Sequence, residues 1–140
     1  MVFKVFADAN LLLDFLLKRN NYDTAHAIIK KGVEGKIQLF TTPAVTHITA
    51  YWTTKAYGNS RAKELLLALL IDMQIIDCDH VTSLVALNSE IEDIEDALQY
   101  YTALKHQTEY FISADKKLKK SAIPQLPVYS ADEVLSEISD

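Results

Sequence analysis

The segment VFKVFADAN, residues 2–10, decides how this chain folds. Residues 2–7 are rich in β-branched and aromatic side chains and are followed at once by Asp8, which is typical of a short strand. The spacing of apolar residues then becomes helical over residues 10–17. A strand that runs directly into a helix predicts a crossover connection, and crossovers join parallel strands.

The alternation of strand and helix patterns continues along the chain. Further strands are predicted at residues 37–41, 74–78, 110–113 and 126–129, with helical patterns in between. The predicted order β-α-α-β-α-α-β-α-α-β-α-β-α indicates a three-layer α/β/α protein: a parallel five-stranded sheet with right-handed crossovers and helices on both faces. Because we find no linker and no internal repeat, we expect one domain over residues 1–140.

Helix starts and one apolar stripe can also be predicted. Ser89 with Glu92 has the spacing of a capping box and predicts a helix that runs to His106, and Ser130 with Glu133 predicts the start of the last helix. A stripe of leucines at helical spacing belongs either to the core or to an oligomer interface. Its members are Leu65, Leu66, Leu69 and Leu70.

Composition excludes several classes of protein. Three Gly and three Pro in 140 residues argue against sandwiches and barrels, and 49% apolar residues argue against disorder. Cys78 is the only cysteine in the sequence, which excludes an intramolecular disulfide and a cysteine-based zinc site. No apolar run is long enough to span a bilayer, and the first residues do not read as a signal peptide. We expect a cytoplasmic protein with no membrane partner.

Acids follow two of the predicted strands. Asp8 comes after the first strand and Asp115 after the fourth, while Asp93 and Asp96 start the helix that leads into the fourth strand. Ligands of parallel sheets lie beyond the carboxyl ends of the strands, and helix residues three apart share a face. If the first and fourth strands are neighbours, four carboxylates meet in one cleft.

Close carboxylates repel one another, and a divalent cation is the usual compensation. An all-oxygen donor set favours Mg²⁺ or Mn²⁺, which can acidify a water for attack on a phosphodiester. Each acid alone also has a structural role open to it, as a helix cap or in the dipole field of a helix start. Without the four acids, the remaining chain holds 15 acids against 14 bases, so a net charge of −5 does not exclude nucleic acid.

Three motifs, in this order along the chain, resemble the PIN-domain nucleases, which include the VapC-type toxins of bacterial toxin–antitoxin pairs. The first is D-x-N after the first strand, here Asp8-Ala9-Asn10. The second is the acidic helix start DIEDALQYYTAL at residues 93–104, which looks particularly like one bacterial subgroup. The third is the pair Ser113 and Asp115 after the fourth strand.

The resemblance implies a sheet order of 3-2-1-4-5 and cleavage of RNA with Mg²⁺ or Mn²⁺. It also implies a homodimer and, for a toxin, an antitoxin protein as partner. The site residues that it implies are the metal ligands Asp8, Asp96 and Asp115, a fourth catalytic acid Asp93, and the orienting residues Asn10 and Ser113.

One position departs from the family. Most members carry a Glu in the helix after the second strand, but PAVTHITAYWTTK at residues 43–55 has no acid, and the expected position falls near His47 or Ile48. The similar subgroup often lacks that Glu too. His47 is either a polar substitute or an ordinary surface histidine. The alternative function is therefore a catalytically weak or inactive PIN module that binds RNA or a protein.

Basic and aromatic residues are candidates for RNA contacts. Lysines cluster directly after Asp115 and can clamp an RNA backbone or simply form a solvated face. Tyr51 and Trp52 can stack on bases, although core or partner packing is the commoner role of such residues. The basic candidates are Lys116, Lys117 and Arg19, with Lys119 and Lys120 in the same cluster.

Overall fold

The structure is a computed structural model that describes residues 2–139. Its strands are β1 (Phe3–Ala7), β2 (Ile37–Thr41), β3 (Met73–Ile75), β4 (Tyr110–Ile112) and β5 (Val128–Tyr129). Its helices are α1 (Ala9–Leu16), α2 (Tyr22–Val33), α3 (Pro43–Tyr57), α4 (Asn59–Leu70), α5 (His80–Leu87), α6 (Ile94–Lys105), α7 (Lys116–Ser121) and α8 (Ala131–Ile138).

The strands form one parallel sheet in the order β3-β2-β1-β4-β5. β1 lies in the centre, and Val5 pairs with Tyr110 and Ala7 with Ile112 on β4. The expected α/β fold and sheet order are confirmed. The pairing also brings the carboxyl ends of β1 and β4 side by side.

Helices cover both faces of the sheet. Consecutive residues of β1 point to opposite faces, and Val5, Phe6 and Ala7 are all fully buried. On one face Tyr100 of α6 packs on Phe111, with ring centroids 5.7 Å apart, and Phe111 stacks on Phe6. Within residues 2–139, the helices are all too short or too polar to cross a membrane.

The bounds of α3 follow from its sequence. Thr42 lies in extended backbone and accepts a hydrogen bond from the backbone N–H of Val45, and Pro43 occupies the first turn, where its missing N–H costs nothing. The helix ends at Gly58, whose φ of +83° is readily adopted only by glycine. Local sequence therefore accounts for both ends of α3.

One predicted capping box is correct and the other is wrong. Ser130 and Glu133 form the reciprocal pair of hydrogen bonds at the start of α8. α6, however, begins at Ile94, because the carboxylate of Asp93 caps it. Ser89 instead donates to the carbonyl of Ala86 at the end of α5, so its hydroxyl belongs to the turn between the two helices.

The leucine stripe of α4 belongs mainly to the core. Leu69 is buried, and Leu65 and Leu66 pack against the core while partly exposed. The outward face of this region is also apolar, since Leu67 is 73% exposed and Ile71 is 80% exposed. One face of this segment therefore packs in the core, and the opposite face leaves apolar side chains exposed.

Tyr100→Phe should destabilise the protein by roughly 2 kcal/mol, because it leaves two buried backbone groups without partners. The Tyr100 hydroxyl donates to the carbonyl of Leu126 (2.7 Å) and accepts from the N–H of Ile123 (2.8 Å). Urea unfolding measures the change. Tyr101→Phe, at a partly buried neighbour, is the control and should shift stability by less than about 0.5 kcal/mol. Equal effects of the two substitutions would contradict the assignment.

Candidate metal centre

The site lies at the carboxyl edge of the sheet, where β1 and β4 end together. Asp8 follows Ala7 and Ser113 follows Ile112, and Ala7 and Ile112 are paired across the two strands. The parallel register therefore brings two of the sequence motifs next to each other, although 104 residues separate Ala7 from Ile112 along the chain. The second motif, the acidic segment that starts at Asp93, lies on α6, which packs over β4.

Asp8 caps α1, and its surroundings disfavour its ionised form. Its Oδ1 accepts a hydrogen bond from the backbone N–H of Leu11 at 3.0 Å. Burial raises the pKa of Asp8 to about 7; the bond from Leu11 opposes this shift, while the negative charges of Asp96 and Asp14 add to it. The positive charge of Arg19 lowers the pKa slightly. An ionised Asp8 thus lacks adequate positive compensation.

Asp96 interacts electrostatically with each of the other three acids. It is the third residue of α6, and its backbone N–H donates to Oδ1 of Asp93 at 2.9 Å. The pKa of Asp96 is raised to about 6, mainly by burial. The negative charges of Asp93, Asp115 and Glu95 contribute to this shift, as does a hydrogen bond to Asp115. Because Asp96 also raises the pKa of Asp8, it lies within electrostatic reach of the whole group.

Asp115 caps α7 while facing the same group of acids. Its Oδ1 accepts from the backbone N–H of Lys117 at 2.8 Å. Its own N–H donates to the hydroxyl oxygen of Ser113 at 3.1 Å, which ties the acid to the end of β4. Asp8, Asp93 and Asp115 therefore all cap helices. Capping leaves the second oxygen of each carboxylate available, so it is compatible with ligand binding.

Two cavities open at this edge of the sheet. The larger, with a volume of about 630 Å³, is lined by residues that include Asp93, Asp96, Asp115, Lys117 and Lys120. The smaller, about 80 Å³, is lined by residues that include Asp8, Asn10, Asp14, Ser113 and Asp132. Asp8 thus opens into a different cavity from the other three acids, although it senses the charge of Asp96.

Asn10 and Arg19 bind each other at the rim of the smaller cavity. Arg19 donates to the backbone carbonyl of Asn10 at 3.1 Å and makes an ion pair with Asp14 at 2.8 Å. Asp14 did not stand out in the sequence, although its i, i+4 spacing from Asn10 places both on one face of α1. Arg19 thereby reduces the negative charge beside Asp8.

The lysines after Asp115 differ in their surroundings. Lys117 and Lys120 line the larger cavity, whereas Lys116 is exposed outside it. Lys119 makes an ion pair with Glu133 at 2.8 Å. His47 is exposed on α3 and lines neither of the two cavities. Of the four clustered lysines, two therefore face the acids.

The chemistry of the donors suits a hard divalent cation. All are carboxylates, the ligand type that Mg²⁺ and Mn²⁺ prefer, and burial and neighbouring negative charges raise the pKa of two of them, Asp8 and Asp96. Within residues 2–139, no three His, Cys, Asp or Glu side chains stand close enough together to hold one ion as they are positioned. The residues fit the cation by donor type and charge.

A family model described as PIN domain matches residues 4–117. Curated proteins yield no significant match. The fold is similar to that of PAE2754 from Pyrobaculum aerophilum, with 16% identity, a TM-score of 0.64, and coverage of 99% of this chain and 98% of that one. It is also similar to VapBC2 from Rickettsia felis bound to a DNA fragment from their promoter, with 16% identity, a TM-score of 0.66, and coverage of 93% and 98%.

Asp8→Asn should stabilise the metal-free protein at pH 8, on the order of 2 kcal/mol. The folded pKa of Asp8, about 7, lies above its ordinary value of 3.8. Folding therefore favours protonated Asp8, and wild-type stability falls as the pH rises from about 4 to about 7. Asparagine keeps the helix cap without the charge.

Denaturant unfolding in EDTA at pH 4, 6 and 8 measures this gain, which should grow with pH. Asp72→Asn, at an exposed acid between α4 and β3, is the matched control and should show no such trend. A pH-independent effect of Asp8→Asn would contradict the electrostatic explanation.

Proposed function

Because the chain belongs to the PIN domain family, we propose that it is a Mg²⁺- or Mn²⁺-dependent endoribonuclease that hydrolyses RNA phosphodiesters. PIN domains are generally nucleases that depend on divalent metals. One observation carries the proposal for this chain: Asp93, Asp96 and Asp115 line one cavity together with Lys117 and Lys120, and the pKa of Asp96 is raised to about 6. This arrangement offers oxygen ligands and phosphate-binding cations in one place.

Each acidic side chain has its own role in this proposal. Asp8, Asp96 and Asp115 would hold the cation, and Asp93 would add a fourth negative charge at the start of the helix that carries Asp96. Ser113 orients Asp115 through the bond to its backbone N–H. Such a cation, when bound, acidifies water and polarises phosphoryl oxygens.

Asn10 and Arg19 have a supporting role at the rim of the smaller cavity. Arg19, which also binds Asn10, pairs with Asp14 near Asp8 and offsets part of the negative charge there. In this proposal Arg19 contacts RNA only with the part of its guanidinium that remains exposed. Lys116 and Lys117 approach the RNA backbone from the start of α7.

We also propose that this is the toxin of a toxin–antitoxin pair. Each chain would form one PIN-like domain over residues 1–140, and two chains would form a cytoplasmic homodimer. The fold similarity to VapBC2 supports this assignment. Exposed aliphatic side chains on α5, namely Val81, Leu84, Val85 and Leu87, supply an apolar surface suited to protein contacts. We assign this surface to the second copy.

Purified protein should cleave single-stranded RNA with Mn²⁺ or Mg²⁺, and EDTA should stop the reaction. Asp96→Asn should lower kcat by more than the roughly 10–100-fold typical of residues that only orient metal ligands. Labelled RNA separated on denaturing gels measures the rate. Asp72→Asn should cleave like the wild type.

The alternative, a PIN module that binds without cutting, makes a different prediction for the same variants. RNA binding would then survive Asp8→Asn unchanged, and no turnover would be seen with either metal. The missing acid in α3, where His47 is exposed, is the observation that favours this alternative. Absence of cleavage together with absence of toxicity on expression would remove the nuclease proposal.

Lys117→Ala and Lys120→Ala should each weaken RNA binding and flatten its dependence on salt. Removal of one lysine–phosphate ion pair should reduce the slope of log K against log salt by about 0.7 for a single strand. Fluorescence anisotropy with labelled RNA at several KCl concentrations measures the slope. Lys119→Ala is the control, because Lys119 is paired with Glu133. An equal change in all three variants would indicate a general charge effect instead.

A further inference from the structure

An exposed aromatic surface on α3 takes no part in the candidate metal centre. Tyr51 is 51% exposed and Trp52 is 48% exposed, and their rings meet edge to face with centroids 5.2 Å apart. The ammonium of Lys55 lies 5.0 Å from the centre of the Tyr51 ring and 5.7 Å from that of Trp52. We call these three side chains the aromatic platform.

The core does not account for the platform. The buried residues of α3 are Val45, Thr49 and Thr53, spaced by four on the inward face. Tyr51 and Lys55 are also spaced by four, on the outward face together with His47. Half of each aromatic ring therefore remains open to a ligand.

Charge favours an anionic ligand. Residues 35–63 contain four Lys or Arg and no Asp or Glu, so the other residues carry a net charge of −9 while this segment carries +4. Arg61 is paired with Glu64 beyond the segment, but α3 itself has no acid with which to neutralise Lys55. The platform thus combines π-faces with an uncompensated cation, in a protein that is acidic overall.

We propose that the aromatic platform stacks unpaired bases of a single-stranded RNA that extends from the acidic site. Aromatic faces with a neighbouring cation bind single strands without needing base-specific hydrogen bonds. α3 begins at the carboxyl edge of the sheet, directly after β2, and Tyr51 lies about 13 Å along the helix from Thr42 at 1.5 Å per residue. An RNA that reaches the platform must therefore extend beyond the bond that is cut.

A second copy of the chain fits this surface less well. A two-fold interface places the same patch of both subunits together, so two Lys55 ammonium groups would approach each other with no acid on α3 between them. The aliphatic side chains of α5 offer a surface without that penalty. The choice of RNA as the ligand rests on the proposed function, but RNA binding can be measured without cleavage.

Trp52 is the only tryptophan in the sequence, so fluorescence excited at a wavelength where tyrosine does not absorb reports on the platform alone. The wild-type protein in EDTA is titrated with a single-stranded RNA of about 12 nucleotides, and with an abasic ribose-phosphate strand of the same length. The RNA should quench Trp52 and the abasic strand should not. Equal quenching by both strands would overturn base stacking.

Tyr51→Leu and Trp52→Leu should each raise the Kd for the RNA by roughly 5- to 150-fold, measured by anisotropy of labelled RNA. Leu67→Ala, at an exposed apolar residue of α4, is the control and should leave the Kd unchanged. Unchanged affinity in both platform variants would overturn the proposal. A Trp52 emission that shifts to shorter wavelength with protein concentration alone, while sedimentation shows dimers, would assign the surface to a second copy and overturn it too.

Failure of this inference can be told apart from failure of the nuclease proposal. Cleavage with Mn²⁺ combined with an unresponsive Trp52 overturns only the platform. Base-dependent quenching without cleavage supports the platform and counts against the nuclease.

Discussion

Every feature of the candidate site depends on the parallel pairing of β1 with β4. The register that places Ala7 beside Ile112 makes the two strands end together, so the residues that follow them share one edge of the sheet. Asp8 and Ser113 are brought together by this pairing, and Asp115 is tied to Ser113 by a hydrogen bond. Backbone hydrogen bonds of the central strands therefore offset the cost of bringing like charges near each other.

The acids at this edge have two physical roles at once. As caps, Asp8, Asp93 and Asp115 satisfy backbone N–H groups at three helix starts. As a group they raise the energy of their own ionised forms, which is why the pKa values of Asp8 and Asp96 lie well above the ordinary range. A helix start favours negative charge locally, but it does not offset burial together with neighbouring carboxylates. The ionised forms of Asp8 and Asp96 are therefore unfavourable where burial and neighbouring carboxylates act on them together.

Charge is distributed unevenly over the molecule. Negative charge concentrates beyond the carboxyl ends of β1 and β4, whereas residues 35–63 carry only positive charge. Lys117 and Lys120 bring further positive charge to the rim of the acidic cavity. A net charge of −5 therefore says little about partners, because it averages over acidic and basic regions of the chain.

The sequence by itself determined the order of the helices and strands and most of their bounds, because hydrophobic periodicity and caps are local. The strands predicted at 74–78 and 126–129 are shorter in the structure, at Met73–Ile75 and Val128–Tyr129. The sequence also singled out Asp8, Asp93, Asp96 and Asp115, since each follows a strand or starts a helix. It placed the start of α6 too early, because Ser89 and Asp93 were both able to cap a helix and only the packing of the turn decided between them.

Only the tertiary structure decided which side chains meet. It paired Arg19 with Asp14, turned Lys117 and Lys120 toward the acids, and opened Asp8 into a cavity of its own. It also left Tyr51 and Trp52 half exposed, whereas residues of their type more commonly pack in a core or against a partner. The physical reason is that burial and charge pairing depend on contacts between residues far apart in the chain, which local periodicity does not contain.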